Sequence, residues 1–187
     1  MTKLAIINRG VVGSGKSSLI AELRKGAPEK SIEVHCTDDL FMVGSEYRID
    51  LSRLGELHKK NYENFVKSLE KSTEIVICDN TNIKGWEYKN YVSSAKASGY
   101  KVVAIVFLPD TIEKHIERNT HSVPEETILR MRDGLFNNLE SRGVDKEYVI
   151  SPEQGGKGSA YVKGIVNVLV DSARVVNSLK LRTSNWK

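Results

Sequence analysis

The chain has 187 residues, 28 basic against 24 acidic, for a net charge of +4 and an isoelectric point near 9.0. That length suits one well-buried domain, so a single domain over residues 1–187 is expected. No run reaches the roughly 18 uninterrupted apolar residues of a membrane span, and the mild positive excess admits a polyanionic partner without requiring one.

The first apolar run, residues 4–8, reads as a strand and begins at once, with no basic, apolar and cleavable leader ahead of it. A soluble, cytoplasmic protein with no membrane partner is expected, with Cys36 and Cys78 kept reduced rather than paired. Gly10, Gly13, Ser14, Gly15, Lys16, Ser17 and Ser18 follow, then a helical pattern. A second strand is expected at 32–35, ending in Thr37-Asp38-Asp39. From Leu51 the positions Leu54, Leu57, Tyr62, Phe65, Val66 and Leu69 recur at three- and four-residue steps, predicting a long helix that stops before a strand at 74–79. Asn80, Thr81 and Asn82 come next.

Another strand is expected at 102–108. Helices starting near Thr111 and Pro124, separated by Thr120-His121-Ser122-Val123, predict a small helical lid over about 111–140. A last strand at 147–150 leads into a glycine-rich loop at 154–159. Val162, Ile165, Val166, Leu169, Ala173 and Val176 then mark a final helix. Strands alternating with helices predict an α/β fold: a three-layer sandwich around a parallel sheet of about five strands.

Residues 10–17 satisfy G-x-x-x-x-G-K-[ST] between a strand and a helix, the context in which that pattern cradles phosphates. Backbone N–H groups of such a loop point at a polyphosphate, Lys16 adds a mobile charge, and the Ser17 hydroxyl is offered to Mg²⁺. ATP and Mg²⁺ are therefore expected as cofactors. Asp79, closing an apolar strand, has the form of the second NTPase motif and is the other expected metal contact.

Phosphoryl transfer to an alcohol needs a group to take the hydroxyl proton, and Asp38 is the candidate base; its alternative role is to cap the next turn. Asn80 to Asn82 either line an acceptor site or make a tight turn. Arg118 is the favoured lid cation, ahead of Arg130 and Arg132, to stabilise charge on the transferring group. Lys59, Lys60, Lys67, Lys84 and Lys89, with Tyr62, Trp86 and Tyr88, are available to track a strand and stack on bases, or else lie on solvated helix faces.

Taken together, 10–18, Thr37-Asp38-Asp39, Leu54-Gly55-Glu56-Leu57-His58, Asp79-Asn80-Thr81-Asn82 and Arg118-Asn119 before Val123-Pro124-Glu125-Glu126 resemble the 5′-hydroxyl polynucleotide kinases. That group of phosphate-loop kinases includes the phage kinase-phosphatase kinase domain and the NEDD4-binding protein 2-like kinase domain. The resemblance covers residues 3 to 135. It implies transfer of the ATP γ-phosphate to a 5′-hydroxyl end of RNA or DNA, in single strands, with Lys16, Asp38 and Arg118 catalytic and Asp39, Asn80, Thr81 and Asn82 contacting the acceptor. Two positions depart from the phage pattern. Leu40-Phe41 stands where that enzyme carries an acceptor-binding arginine, and its second lid arginine has only His121 nearby. A small-molecule kinase and a non-catalytic, nucleotide-dependent binding module remain the alternatives.

Overall fold

The structure, a computed structural model, describes residues 2–43, 46–47, 50–120, 122–154 and 159–174. His121, most of the 154–159 loop and Val176 lie outside them. In chain order the elements are β1 (Leu4–Arg9), α1 (Lys16–Gly26), β2 (Ile32–His35), a short hairpin of β3 (Met42–Val43) and β4 (Glu46–Tyr47), α2 (Leu54–Glu70), β5 (Ile75–Cys78) and α3 (Gly85–Ala97). They continue with β6 (Lys101–Phe107), α4 (Ile112–Glu117), α5 (Glu125–Phe136), β7 (Lys146–Ile150) and α6 (Ala160–Arg174).

Five of the strands form one parallel sheet in the order β2-β5-β1-β6-β7. The three central strands are covered on both faces, which is why they read as unbroken apolar runs instead of alternating ones. Successive side chains of β1 go to opposite layers. Leu4 and Ile6 join Leu19, Ile20 and Leu23 of α1 and the Val162, Ile165, Val166 and Leu169 stripe of α6. Ala5 and Ile7 join Phe65 and Leu69 of α2 and Tyr88, Tyr91, Val92 and Ala95 of α3. The α/β sandwich expected from the alternation of elements is the one observed.

Two features differ from the sequence reading. The segment from Leu51 starts as a 3₁₀ turn, Leu51–Arg53, and becomes α-helical only at Leu54. The β3–β4 hairpin was not anticipated, because its two-residue strands are too short to produce an alternating pattern. Among the described residues no helix is long and apolar enough to cross a membrane.

This strand order fixes where a ligand can sit. The chain leaves β1 for β2 and β5 on one side and returns for β6 and β7 on the other, so β1 is the point where the direction reverses. In open α/β sheets the crevice lies beyond the carboxyl ends of the strands at that point, and β1 ends there in the phosphate-binding pattern.

Candidate active site

The loop after β1 is shaped by close contacts. Gly13 and Gly15 have φ of 70° and 98°, and Gly15 sits immediately before α1. A Cβ on Gly13 would lie 2.9 Å from Cβ of Arg118 and 3.2 Å from the His115 carbonyl, so the loop threads against α4 where a side chain does not fit. Gly10 is a packing position: a Cβ there would meet Ser14 Oγ at 2.6 Å and Phe107 Cβ at 3.0 Å. Lys16 Nζ donates to the carbonyls of Gly10 and Val11, at 3.0 Å each. Burial pushes its amine pKa down, opposed by the nearby charge of Asp79. Ser14 Oγ is buried with no hydrogen-bond partner, as befits a cradle built to meet phosphate oxygens.

A cleft of about 370 Å³ opens on this loop, lined among others by Lys16, Ser17, Asp38, Asp79, Thr81 and Arg118. Ser14, Gly15 and Ser18 line it too, while Asp39 is exposed and stands outside. Asp79 is buried and accepts a 2.8 Å hydrogen bond from Asn8 Nδ2. Burial raises its pKa to about 6, with Lys16 and Asn8 pulling the other way and Asp39 and Asp38 adding to the rise. Burial also pushes the Cys36 and Cys78 thiols up to about 12, and both are free. Both are therefore held as thiols rather than thiolates; Cys78 is buried in the core and Cys36 lines the cleft.

Asp38 opens the 3₁₀ turn Asp38–Phe41, and its position is set from behind. The Thr37 N–H donates to Asn80 Oδ1 at 2.9 Å, and Thr37 Oγ1 hydrogen-bonds His58 Nδ1 at 3.0 Å. Asn80 thus ties the β2 end to the β5 end and His58 ties it to α2, and Asp38 and Asp79 share one cleft. Phe41 is buried and does not line the cleft.

Asn82 lines a cavity next to the phosphate cleft, as expected, and also has a structural role. It is 1 % exposed at φ 48°, donates through Nδ2 to the Asn8 carbonyl at 2.7 Å and to Cys78 Sγ at 3.5 Å, and so holds the loop from inside. Asn tolerates that left-handed backbone better than most residues. Of the three, Thr81 is the one lining the phosphate cleft. All three, Asn80, Thr81 and Asn82, line a neighbouring cavity of about 580 Å³, with His58, Tyr62, Trp86 and Tyr91.

Arg9 escaped the sequence reading because it ends an apolar strand. It is fully buried, with Nε donating to the Asn82 carbonyl at 3.0 Å, Nη2 to the carbonyls of Ile83 (3.1 Å) and Asn138, and Nη1 to the Leu139 carbonyl (2.8 Å) and Ser141 Oγ (2.9 Å). Its guanidinium lies 5.0 Å from the centre of the Tyr88 ring. One charged side chain therefore fixes both the β5–α3 loop and the 138–141 segment beside the phosphate loop. The single signal available was a charged residue directly before Gly10.

The two helices of the expected lid are α4 and α5, with Thr111 capping α4 and Pro124 directly preceding α5. Ile128 and Leu135 of α5 pack with Val11 and Ile83, so these helices rest on the loop they cover. His115, fully buried in α4, accepts the Asp110 N–H at Nε2 (3.0 Å), leaving Nδ1 to donate to the Val12 carbonyl (2.8 Å). This is the neutral ring, and burial lowers its pKa accordingly. Asn119 holds the loop between the helices by exchanging two hydrogen bonds with Val123, 2.7 and 3.1 Å. Arg118 is held 3.4 Å from Asp110 at the cleft wall. Arg130 and Arg132 do not line the cleft; Arg130 bonds Thr127 in its own helix and Arg132 lies 3.6 Å from Asp133.

The family model described as "Chromatin associated protein KTI12" matches residues 4–143, from β1 through α5 and including every residue of the cleft named above. The chain belongs to the KTI12 family. It is 37 % identical to human NEDD4-binding protein 2 over 131 residues, 67 % of this chain and 7 % of that protein, so it spans only a small part of that relative's length. Among solved structures it is similar to Chaetomium thermophilum Kti12 in complex with ADP-AlF3 (TM-score 0.57, 13 % identity, 89 % of this chain and 97 % of that one). It is also similar to a chain of the Pnkp1/Rnl/Hen1 RNA repair complex (TM-score 0.59, 18 % identity, 74 % of this chain and 45 % of that one). The fold is that of the P-loop kinases.

Proposed function

We propose that the protein is an ATP-dependent kinase that transfers the γ-phosphate to the 5′-hydroxyl end of an RNA or DNA strand. The observation that carries the reading is the junction at Thr81. A phosphate cleft holding Lys16, Asp38 and Asp79 continues there into a second, aromatic-walled cavity large enough for an acceptor nucleoside. The likeness to a chain of an RNA repair complex supports the same acceptor class.

The phosphate loop binds the donor, and Lys16 exchanges the Gly10 and Val11 carbonyls for phosphate oxygens. Asp38 accepts the hydroxyl proton as the acceptor oxygen bonds to the γ-phosphorus; the bond to the β,γ-bridging oxygen breaks and ADP leaves. Arg118 stabilises the charge spread over the transferring group. Among the described residues no cluster of three or more His, Cys, Asp or Glu would hold a metal alone. The chemistry of Ser17 and Asp79 fits Mg²⁺ arriving with the nucleotide, bound through one carboxylate and phosphate oxygens. When bound, Mg²⁺ neutralises phosphate charge.

The test offers γ-labelled ATP to matched strands with 5′-hydroxyl or 5′-phosphate ends. Label entering only the 5′-hydroxyl strands is expected, and none entering any strand refutes the reading. The buried Phe41, which leaves no cation at that position for an acceptor phosphate, favours a second reading, transfer to a small free alcohol. Labelling of free nucleosides or sugars with none of oligonucleotides would select it.

A further inference from the structure

The aromatic cavity does not end at the acceptor nucleoside. Trp86, in the first turn of α3, is 67 % exposed, the most exposed of the large apolar side chains described. It lines the 580 Å³ cavity on one side and a third cavity of about 660 Å³ on the other. Three clefts thus follow one another, joined at Thr81 and then at Trp86. The third is lined by Lys84, Lys89 and Arg142, with Glu140 the acidic group on its wall. In the second, Lys59 and His58 face Glu87, whose Oε2 is engaged by the Ile83 N–H at 2.8 Å.

The walls are rigid. Tyr62 and Tyr91 meet edge to face at 5.2 Å, with the Tyr62 hydroxyl on Ser94 (2.7 Å) and the Tyr91 hydroxyl accepting from Asn61 (3.1 Å). Under the third cleft the buried Tyr88 accepts the Arg142 N–H at 3.1 Å while Arg9 covers its ring. The α3 stripe of Tyr88, Tyr91, Val92 and Ala95 supplies the core, so Trp86 is not needed for packing. An exposed aromatic face followed by a row of cations is the arrangement that holds a single strand: bases stack, phosphates are neutralised.

We propose that Trp86 is a stacking platform for a base behind the 5′ end of a single-stranded RNA or DNA acceptor, and that Lys84, Lys89 and Arg142 bind the phosphates that follow. The direction of the strand rests on the kinase reading; the stacking does not. Bases in a duplex are already stacked, which makes single strands the preferred ligand.

The test measures binding of fluorescent 5′-hydroxyl oligonucleotides, RNA and DNA, single and duplex, with a non-hydrolysable ATP analogue present, and phosphoryl transfer in parallel. Trp86→Ala weakens single-strand binding by about 5- to 150-fold, Trp86→Phe recovers most of it, and ATP affinity and melting temperature stay unchanged. The triple change Lys84→Ala, Lys89→Ala and Arg142→Ala flattens the slope of log affinity against log salt by about two. Unchanged strand binding in Trp86→Ala, duplex bound as tightly as single strand, or no strand bound overturns the proposal. Binding that depends on Trp86 without transfer refutes the kinase reading alone, whereas transfer and binding indifferent to Trp86 refute this proposal alone.

Discussion

Replacing Arg9 by Met keeps the length of the side chain and removes every donor. The carbonyls of Asn82 and Ile83 are then left inside the protein without the guanidinium that serves them, and three more acceptors in 138–141 lose their charge-assisted partner. Each stranded buried carbonyl costs about 1–3 kcal/mol. Part of this is returned because the guanidinium no longer has to be desolvated, the effect that lowers its pKa here. A net loss of about 2–4 kcal/mol is expected, a large share of the stability of a small domain. Urea denaturation followed by far-ultraviolet circular dichroism measures it, with Arg9→Lys as an intermediate case that keeps charge but not the planar fork. Because Arg9 directly precedes Gly10, Arg9→Met also weakens ATP binding. An Arg9→Met protein within about 0.5 kcal/mol of the parent, the range of an ordinary surface change, refutes the argument that this side chain organises both loops.

Asn80→Ala releases the Thr37 N–H and is expected to lower kcat by up to about 100-fold through misplacement of Asp38, with ATP affinity retained; steady-state kinetics beside nucleotide titration measures both. His115 is neutral in the folded protein, its pKa lowered from 6.5, so its contribution to stability is full above 6.5 and declines as pH falls toward the lowered value. His35, also lowered by burial, adds to the same slope. Denaturation between pH 8 and 5 should follow this course, and His115→Gln, which cannot gain the proton, should flatten part of it. Asp79 has the opposite sign: with its pKa raised to about 6, the carboxylate opposes folding above its unfolded value of 3.8 and increasingly so as pH rises through 6. Metal-dependent nucleotide affinity should therefore drop below pH 6 in the parent, and Asp79→Asn should lose the metal dependence at every pH; calorimetry checks both.

The sheet was legible because its central strands are long apolar runs and its loop carries a motif whose every fixed position is a chemical requirement. The phosphate cleft was legible for the same reason: Lys16, Ser17, Asp38, Asp79 and Arg118 line one cleft although they come from four separate stretches of chain. The inward hydrogen bond of Asn82 was not, since an Asn after a strand looks the same whether its amide faces solvent or the Asn8 carbonyl. Nor was Arg9, whose five acceptors come from residues 82 to 141, a juxtaposition that only the packed fold creates. His115 shows the same limit. Nothing local to a lone histidine reveals that its two nitrogens will bridge Asp110 and Val12.

The central claim is that Asp38 takes the proton from a strand's 5′-hydroxyl while the phosphate loop holds ATP. Its most direct test compares the parent and Asp38→Asn in one set of preparations, measuring ATP affinity and γ-phosphate transfer to a 5′-hydroxyl oligonucleotide side by side. The account predicts equal affinity and a transfer rate lower by about 10²–10⁴-fold; an Asp38→Asn protein that transfers phosphate at the parent rate contradicts it.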